Sequence, residues 1–262
     1  MPLTAPAPNG PAGDRSLPSR QLLTPELARK ALAELVGTAL LVAGVVGSGI
    51  AATTLSPDDV GLQLLENAAA TVGVLIALIL ALGPVSGAHL NPVVTLADRF
   101  FGGVTTREVL AYLPAQVLGG GIGAVAANVM FGAPPVELST TSRATGAHLF
   151  AEVVATFGLL LVIFGVVRSR RASAAPFAVG AYIGGAYFFT SSTSFANPAV
   201  TLARTLSDTF AGIAPASAPA FLAAQLVGAA VAVACAAALY PDVPEVADEV
   251  VLPHAPQKEP VP

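Results

Sequence analysis

The chain has 262 residues, 54% of them hydrophobic and 11% charged, with a mean hydropathy of +0.74. A soluble domain carries about 25% charged residues, so this chain cannot cover a water-facing surface and reads as an all-α membrane protein. One cysteine, Cys235, excludes an internal disulfide; the three scattered histidines suggest no metal site, and a net charge of −4 leaves no basic patch for nucleic acid.

In chain order, residues 1–27 open on a Pro-, Ala- and Gly-rich stretch without apolar period and are expected to be a disordered tail. Residues 35–57, 67–97, 109–136, 172–203 and 209–241 then contain no Asp, Glu, Lys or Arg, and a further apolar stretch at 146–167 is broken only by Glu152. A membrane core about 30 Å thick needs about 20 apolar residues per helix. Six spans are predicted, near 29–52, 62–84, 107–131, 147–168, 174–192 and 217–240. The intervals 67–97 and 172–203 are too long for one span and too short for two. Each leads into a Gly/Ser/Thr-rich turn and then Asn-Pro. The tail 241–262, rich in Pro and acids, is again expected to be disordered. With six spans both termini share a side, which collects ten Lys and Arg residues against two, Arg143 and Arg204, on the other. The excess predicts cytoplasmic termini.

The two halves repeat. AELVGTALLV from Ala33 echoes AEVVATFGLL from Ala151, HLNPVVTLADRF from His89 echoes FANPAVTLARTL from Phe195, and AQVLGGG from Ala115 echoes AQLVGAA from Ala224. Glu34 thus pairs with Glu152, Asn91 with Asn197, and Gln116 with Gln225. Three spans per half is an odd number, so the second half enters the membrane inverted. In each Asn-Pro segment, Asn can cap and Pro can open a helix without losing a hydrogen bond. Each segment therefore reads as an irregular stretch followed by a helix of about three turns, too short to span. Irregular backbone at membrane depth survives only inside protein or along a wet cavity, so the two segments are expected to dip in from opposite faces and meet near the midplane.

The order Glu34, Asn91-Pro92, Gln116, Glu152, Asn197-Pro198-Ala199, Gln225, with the string SGAHLNP, resembles the major intrinsic proteins, the aquaporins and glycerol facilitators. The resemblance covers about residues 28–240. It implies an aquaporin-like channel domain built from repeats 28–131 and 146–240: six transmembrane helices and two re-entrant half-helices in a right-handed bundle. Four protomers, each with its own pore, form the usual family assembly. The pore centre falls on Asn91, Pro92, Val93, Asn197, Pro198 and Ala199, the first box ending in Val rather than the family's Ala. There each half-helix N-terminus would place about half a positive charge, and the Asn amides would donate to a passing oxygen. By the resemblance, Glu34 and Glu152 brace the re-entrant loops by accepting backbone N–H bonds, Gln116 and Gln225 assist, and His89 lines the cytoplasmic half of the pore.

The family's narrow filter, counted from the two Asn residues, falls on Thr71, Gly185, Ser194 and Val200. Most members carry Arg at the last position; here it is Val200. That departure predicts a wider, uncharged filter for neutral solutes larger than water, because a guanidinium supplies a fixed fork of donors and a permanent charge. Arginine-free filters, and the string SFANPAVTLAR, are similar to a bacterial branch associated with arsenic resistance. Arg204, four residues beyond Val200 and about 6 Å further along the helix, is expected at the extracellular mouth, either attracting oxyanions or polarised hydroxides, or serving as a helix-end cap or a salt bridge to Asp208.

The function expected is a passive channel in a bacterial cell membrane for metalloid hydroxides such as arsenite, glycerol or urea, and water. A water-selective aquaporin and an ion-coupled transporter are the alternatives. No nucleophile–base pair is visible, so no enzyme is expected. No cofactor or metal is expected either. The expected partners are small neutral solutes, the lipid bilayer and three further copies of the chain.

Overall fold

The computed structural model describes residues 24–169 and 171–241. The tails expected to be disordered lie, apart from their innermost residues, outside this range. Eight α-helices follow in order: α1 (Pro25–Leu55), α2 (Val60–Ser86), α3 (Pro92–Phe101), α4 (Thr106–Met130), α5 (Gly146–Arg168), α6 (Ala175–Phe189), α7 (Pro198–Ala203) and α8 (Ala218–Leu239). Their starts are written locally. Thr24 accepts from the Leu27 N–H, with Pro25 at the first helical position; Asp59 caps α2 through Leu62; Thr105 and Glu108 form a reciprocal capping box on α4; Thr145 caps α5 through His148. Because of the Thr24-Pro25 signal, α1 begins at Pro25 rather than 29, and the tail expected to run to residue 27 stops before it.

Among the described residues, five helices are long and apolar enough to cross a membrane. The sixth expected span, α6, has 15 residues, about 22 Å of helix, and ends at Phe189 rather than 192. It stops because the chain must turn back at Thr190 to build the second re-entrant loop.

The repeat is visible in the packing. α1 lies against α4 and α2, and α5 lies against α8. At the two equivalent crossings the helices come close enough that a Cβ on Gly119 would fall on the carbonyl of Leu35, and one on Gly228 on the carbonyl of Val153. Only Gly permits that approach. Leu118, Ile122, Phe150, Phe177, Leu226 and Val227 are exposed on the outside, an apolar coat suited to hydrocarbon. The buried centre is left to the two short helices, α3 and α7. These enter as expected from the Asn-Pro segments, α3 with ten residues and α7 with six followed by a 3₁₀ turn at Arg204–Leu206.

Candidate functional site

Each short helix is preceded by a loop that a chain of L-residues forms only at a cost. Ala88 and Leu90 in the first loop have φ of 46° and 49°; Ser194 and Ala196, their repeat equivalents, have 52° and 47°. Left-handed backbone costs about 1–2 kcal/mol per residue, so something must hold it. Two fully buried carboxylates do. Glu34 Oε1 accepts from the His89 N–H at 3.0 Å and its Oε2 from the Leu90 N–H at 2.7 Å. Glu152 accepts from the N–H groups of Phe195 and Ala196 at 2.9 and 2.8 Å. Gln116 Nε2 donates to Glu34 at 2.7 Å and to Thr95 Oγ1 at 3.0 Å. Gln225 Nε2 does the same for Glu152 and Thr201, at 2.7 and 2.9 Å. These bonds match one for one, so the four polar side chains form two copies of one clamp; Glu34 alone accepts a further bond, from the Ser86 hydroxyl at 2.6 Å.

The held loops bring the half-helices tip to tip. Asn91 Oδ1 accepts from its own helix at Val93, and Asn197 Oδ1 accepts from Ala199 and Val200. Their amide nitrogens cross over: Asn91 donates to the Ala196 carbonyl and Asn197 to the Leu90 carbonyl, both at 2.8 Å. The left-handed turns at Leu90 and Ala196 are what aim those carbonyls. Pro92, Val93, Pro198 and Ala199 are buried just behind this junction as the first turns of α3 and α7.

A narrow, partly open cavity of about 70 Å³ runs past the junction. Its wall is largely hydrocarbon, from residues such as Leu41, Leu75, Val94, Leu159 and Ile163, broken by Asn91, Asn197, His89 and a group of hydroxyls. Of the four residues counted to the filter, Thr71, Ser194 and Val200 line this cavity. Gly185 does not: it is exposed on the outer side of α6, with nothing within 4 Å of where a Cβ would stand. Tyr187 lines the cavity instead and its hydroxyl lies 3.1 Å from Thr71 Oγ1. Two helical residues are about 200° apart around the axis, so the count from Asn197 landed on the wrong face. Tyr187 was legible as the buried side of α6, which it shares with Ile183 and Val179, once the loop before Asn197 was known to start at Thr190.

Arg204 also departs from expectation. It is 3% exposed, lines the cavity rather than an open mouth, and makes no ion pair with Asp208. Asp208 accepts instead from the Thr140 N–H at 2.9 Å and from the hydroxyls of Ser139 and Thr140. At the position of the first repeat equivalent to Arg204 stands Asp98, likewise buried. Its Oδ2 lies 3.4 Å from His89 Nε2, behind the face that His89 presents to the cavity. Nδ1 of the same ring lies 3.1 Å from Thr95 Oγ1, and Tyr112 packs edge-on against it. Among the described residues, no group of three or more His, Cys, Asp or Glu could hold a metal ion.

A shell of apolar helices with two half-helices abutting at the middle of a narrow, mostly apolar cavity defines a membrane channel. The major intrinsic protein family profile matches residues 21–196, and the chain belongs to that family. It is 48% identical over 209 residues to the aquaglyceroporin AqpS of Rhizobium meliloti (strain 1021), covering 80% of this chain and 89% of that one. It is also 31% identical over 218 residues to the probable aquaporin AqpM of Archaeoglobus fulgidus, across 73% and 88% of the two chains. The fold matches the X-ray structure of the aquaglyceroporin from Plasmodium falciparum with a TM-score of 0.64 at 22% identity, over 83% of this chain and 98% of that one.

Proposed function

We propose that the chain is a passive channel for small uncharged solutes, including metalloid hydroxides such as arsenite, glycerol and urea as well as water. The observation that carries this reading is the cavity wall. It is largely hydrocarbon, interrupted by a few hydroxyl and amide groups, the His89 ring and, one turn beyond the apolar Val200 that stands where the family normally has a guanidinium, Arg204. Such a wall favours a solute with carbon on one side and hydroxyls on the other, and it binds none of them tightly enough to stop flow. The similarity to a protein named an aquaglyceroporin supports the same solute class.

Ion coupling would need a free titratable group at the pore centre. Glu34 and Glu152 already accept three or four hydrogen bonds each, which supports bracing rather than proton carriage. The Lys and Arg distribution supports cytoplasmic termini in a bacterial cell membrane, and the family habit supports a homotetramer with one pore per protomer. Stopped-flow light scattering on vesicles carrying the purified protein tests the reading. Glycerol and neutral arsenite should enter down their gradients faster than into empty vesicles, with no dependence on an imposed ion gradient. Accumulation against a solute gradient driven by ions would replace the channel with a transporter.

A further inference from the structure

Arg204 is a buried cation without an acid beside it. Its side chain is 3% exposed, and among the described residues no carboxylate lies within ion-pair distance. Glu152 is turned to the backbone N–H groups of Phe195 and Ala196. Removing a charge from water with no partner is costly, so such a group persists only where it meets polar contacts or water. Its surroundings supply the first and the cavity the second. The guanidinium carbon lies 3.4 Å above the centroid of the Phe195 ring, and Nε donates to the Ala211 carbonyl. Among the described residues its other N–H groups have no hydrogen-bond partner, while the residue lines the cavity.

The direction of the side chain matters as much as its charge. Phe195 stands two residues before Asn197, so the guanidinium stacked on its ring lies beside the loop that leads into the Asn91–Asn197 junction. It is seated there by the segment 210–212. Phe210 and Gly212 accept from the Arg143 guanidinium at 3.2 and 2.8 Å, and Ala211, between them, accepts from Arg204. Three consecutive carbonyls thus fix two guanidinium groups around one aromatic ring, the Arg143 carbon being 5.4 Å from its centroid. Ser194 Oγ, buried and with no partner among the described residues, lines the same cavity.

We propose that Arg204 is the charge-selecting residue of this channel: it supplies, from one helical turn further along α7 and its 3₁₀ extension, the cation barrier that Val200 does not. Placing the charge in the wall over Phe195 leaves the opening at Val200 wide for neutral solutes while a cation still meets an unneutralised guanidinium in a low-dielectric passage. Selection by size and selection by charge are therefore carried by two different residues.

This inference rests on the channel reading, and the experiment separates the two. Vesicles are made with the full-length wild-type protein and with Arg204→Gln, Arg204→Met, Arg204→Lys and the double variant Val200→Arg/Arg204→Gln; glycerol entry and potassium leak are measured on each. If the wild type carries no glycerol above empty vesicles, the channel reading fails. Given wild-type flux, both neutral variants should still conduct glycerol but leak potassium about tenfold faster. The Lys variant and the double variant should stay potassium-tight. A neutral variant that conducts glycerol with wild-type potassium leak overturns the inference. Should neither neutral variant fold, the Lys variant decides, a tight one supporting the charge role and a leaky one overturning it. If no substitution at the site folds, the guanidinium is a structural anchor and the inference falls.

Discussion

Asn91 and Asn197 each hold the other's loop: the amide nitrogen of one donates to the carbonyl that precedes the other by one residue, at 2.8 Å in both directions. The crossing ties the two repeats together at the one place where neither has helical hydrogen bonds of its own to spare. Asn197→Asp keeps the oxygen that caps α7 but loses the donor to Leu90, leaving that carbonyl unpaired. Thermal unfolding in detergent should show a loss of about 1–3 kcal/mol, and an unchanged transition would mean the crossing contributes nothing.

The clamp carboxylates should be separable from proton carriers by substitution. Glu152→Leu leaves the Phe195, Ala196 and Gln225 donors buried without an acceptor, at about 1–3 kcal/mol each, and should abolish folded protein. Glu152→Gln retains one acceptor oxygen and should give an intermediate yield. The measurement is the monodisperse fraction on gel filtration; equal yields for the two would contradict bracing.

Thr71 and Tyr187 against Gly185 offer a sharper test of which face of α6 lines the pore. Gly185→Ala adds a methyl where nothing lies within 4 Å, and should leave glycerol flux unchanged and stability within about 0.5 kcal/mol. Tyr187→Ala removes a cavity-lining ring and should raise the permeability of the larger solutes relative to water. The reverse pattern in stopped-flow measurements would restore Gly185 to the pore.

Val200→Arg puts a second guanidinium into the same wall, one turn from Arg204. It should narrow the opening and lower the glycerol-to-water permeability ratio by about tenfold, since a side chain with a planar fork of donors then fills space now left by Val. An unaltered ratio would remove Val200 from the constriction.

The loop over the α7 end of the pore should loosen in acid. Hydrogen bonds from the Thr140 N–H and then from the hydroxyls of Thr140 and Ser139 hold the Asp208 carboxyl below its ordinary value of 3.8. A depressed folded pKa means the stabilisation is complete above the unfolded value and is lost as pH falls through the lower folded one. Exchange protection of the Thr140 amide should therefore be constant above about pH 4 and fall below it. In Asp208→Asn that pH dependence should disappear.

Much of this protein is written locally. Charge-free runs set the spans, because each charge in lipid costs more than a helix can recover, and Thr24, Asp59, Thr105 and Thr145 mark the helix starts because a cap is a contact within three residues. The repeat, read from Glu34/Glu152, Asn91/Asn197 and Gln116/Gln225, carried the inverted architecture, since two copies of one sequence pattern adopt one local structure. The directions of side chains around the cavity were decided elsewhere. Whether Gly185 or Tyr187 faces it depends on where the loop before Asn197 begins, and a slip of two residues rotates the helix face by about 200°. Arg204 lies inward because the carbonyls of residues 210–212 and the ring of Phe195 receive it, and Asp98 meets His89 because a loop folds back nine residues along the chain. Those contacts belong to the assembled bundle. No periodicity in the chain encodes them, because they depend on which surfaces the packed helices leave for each charge to reach.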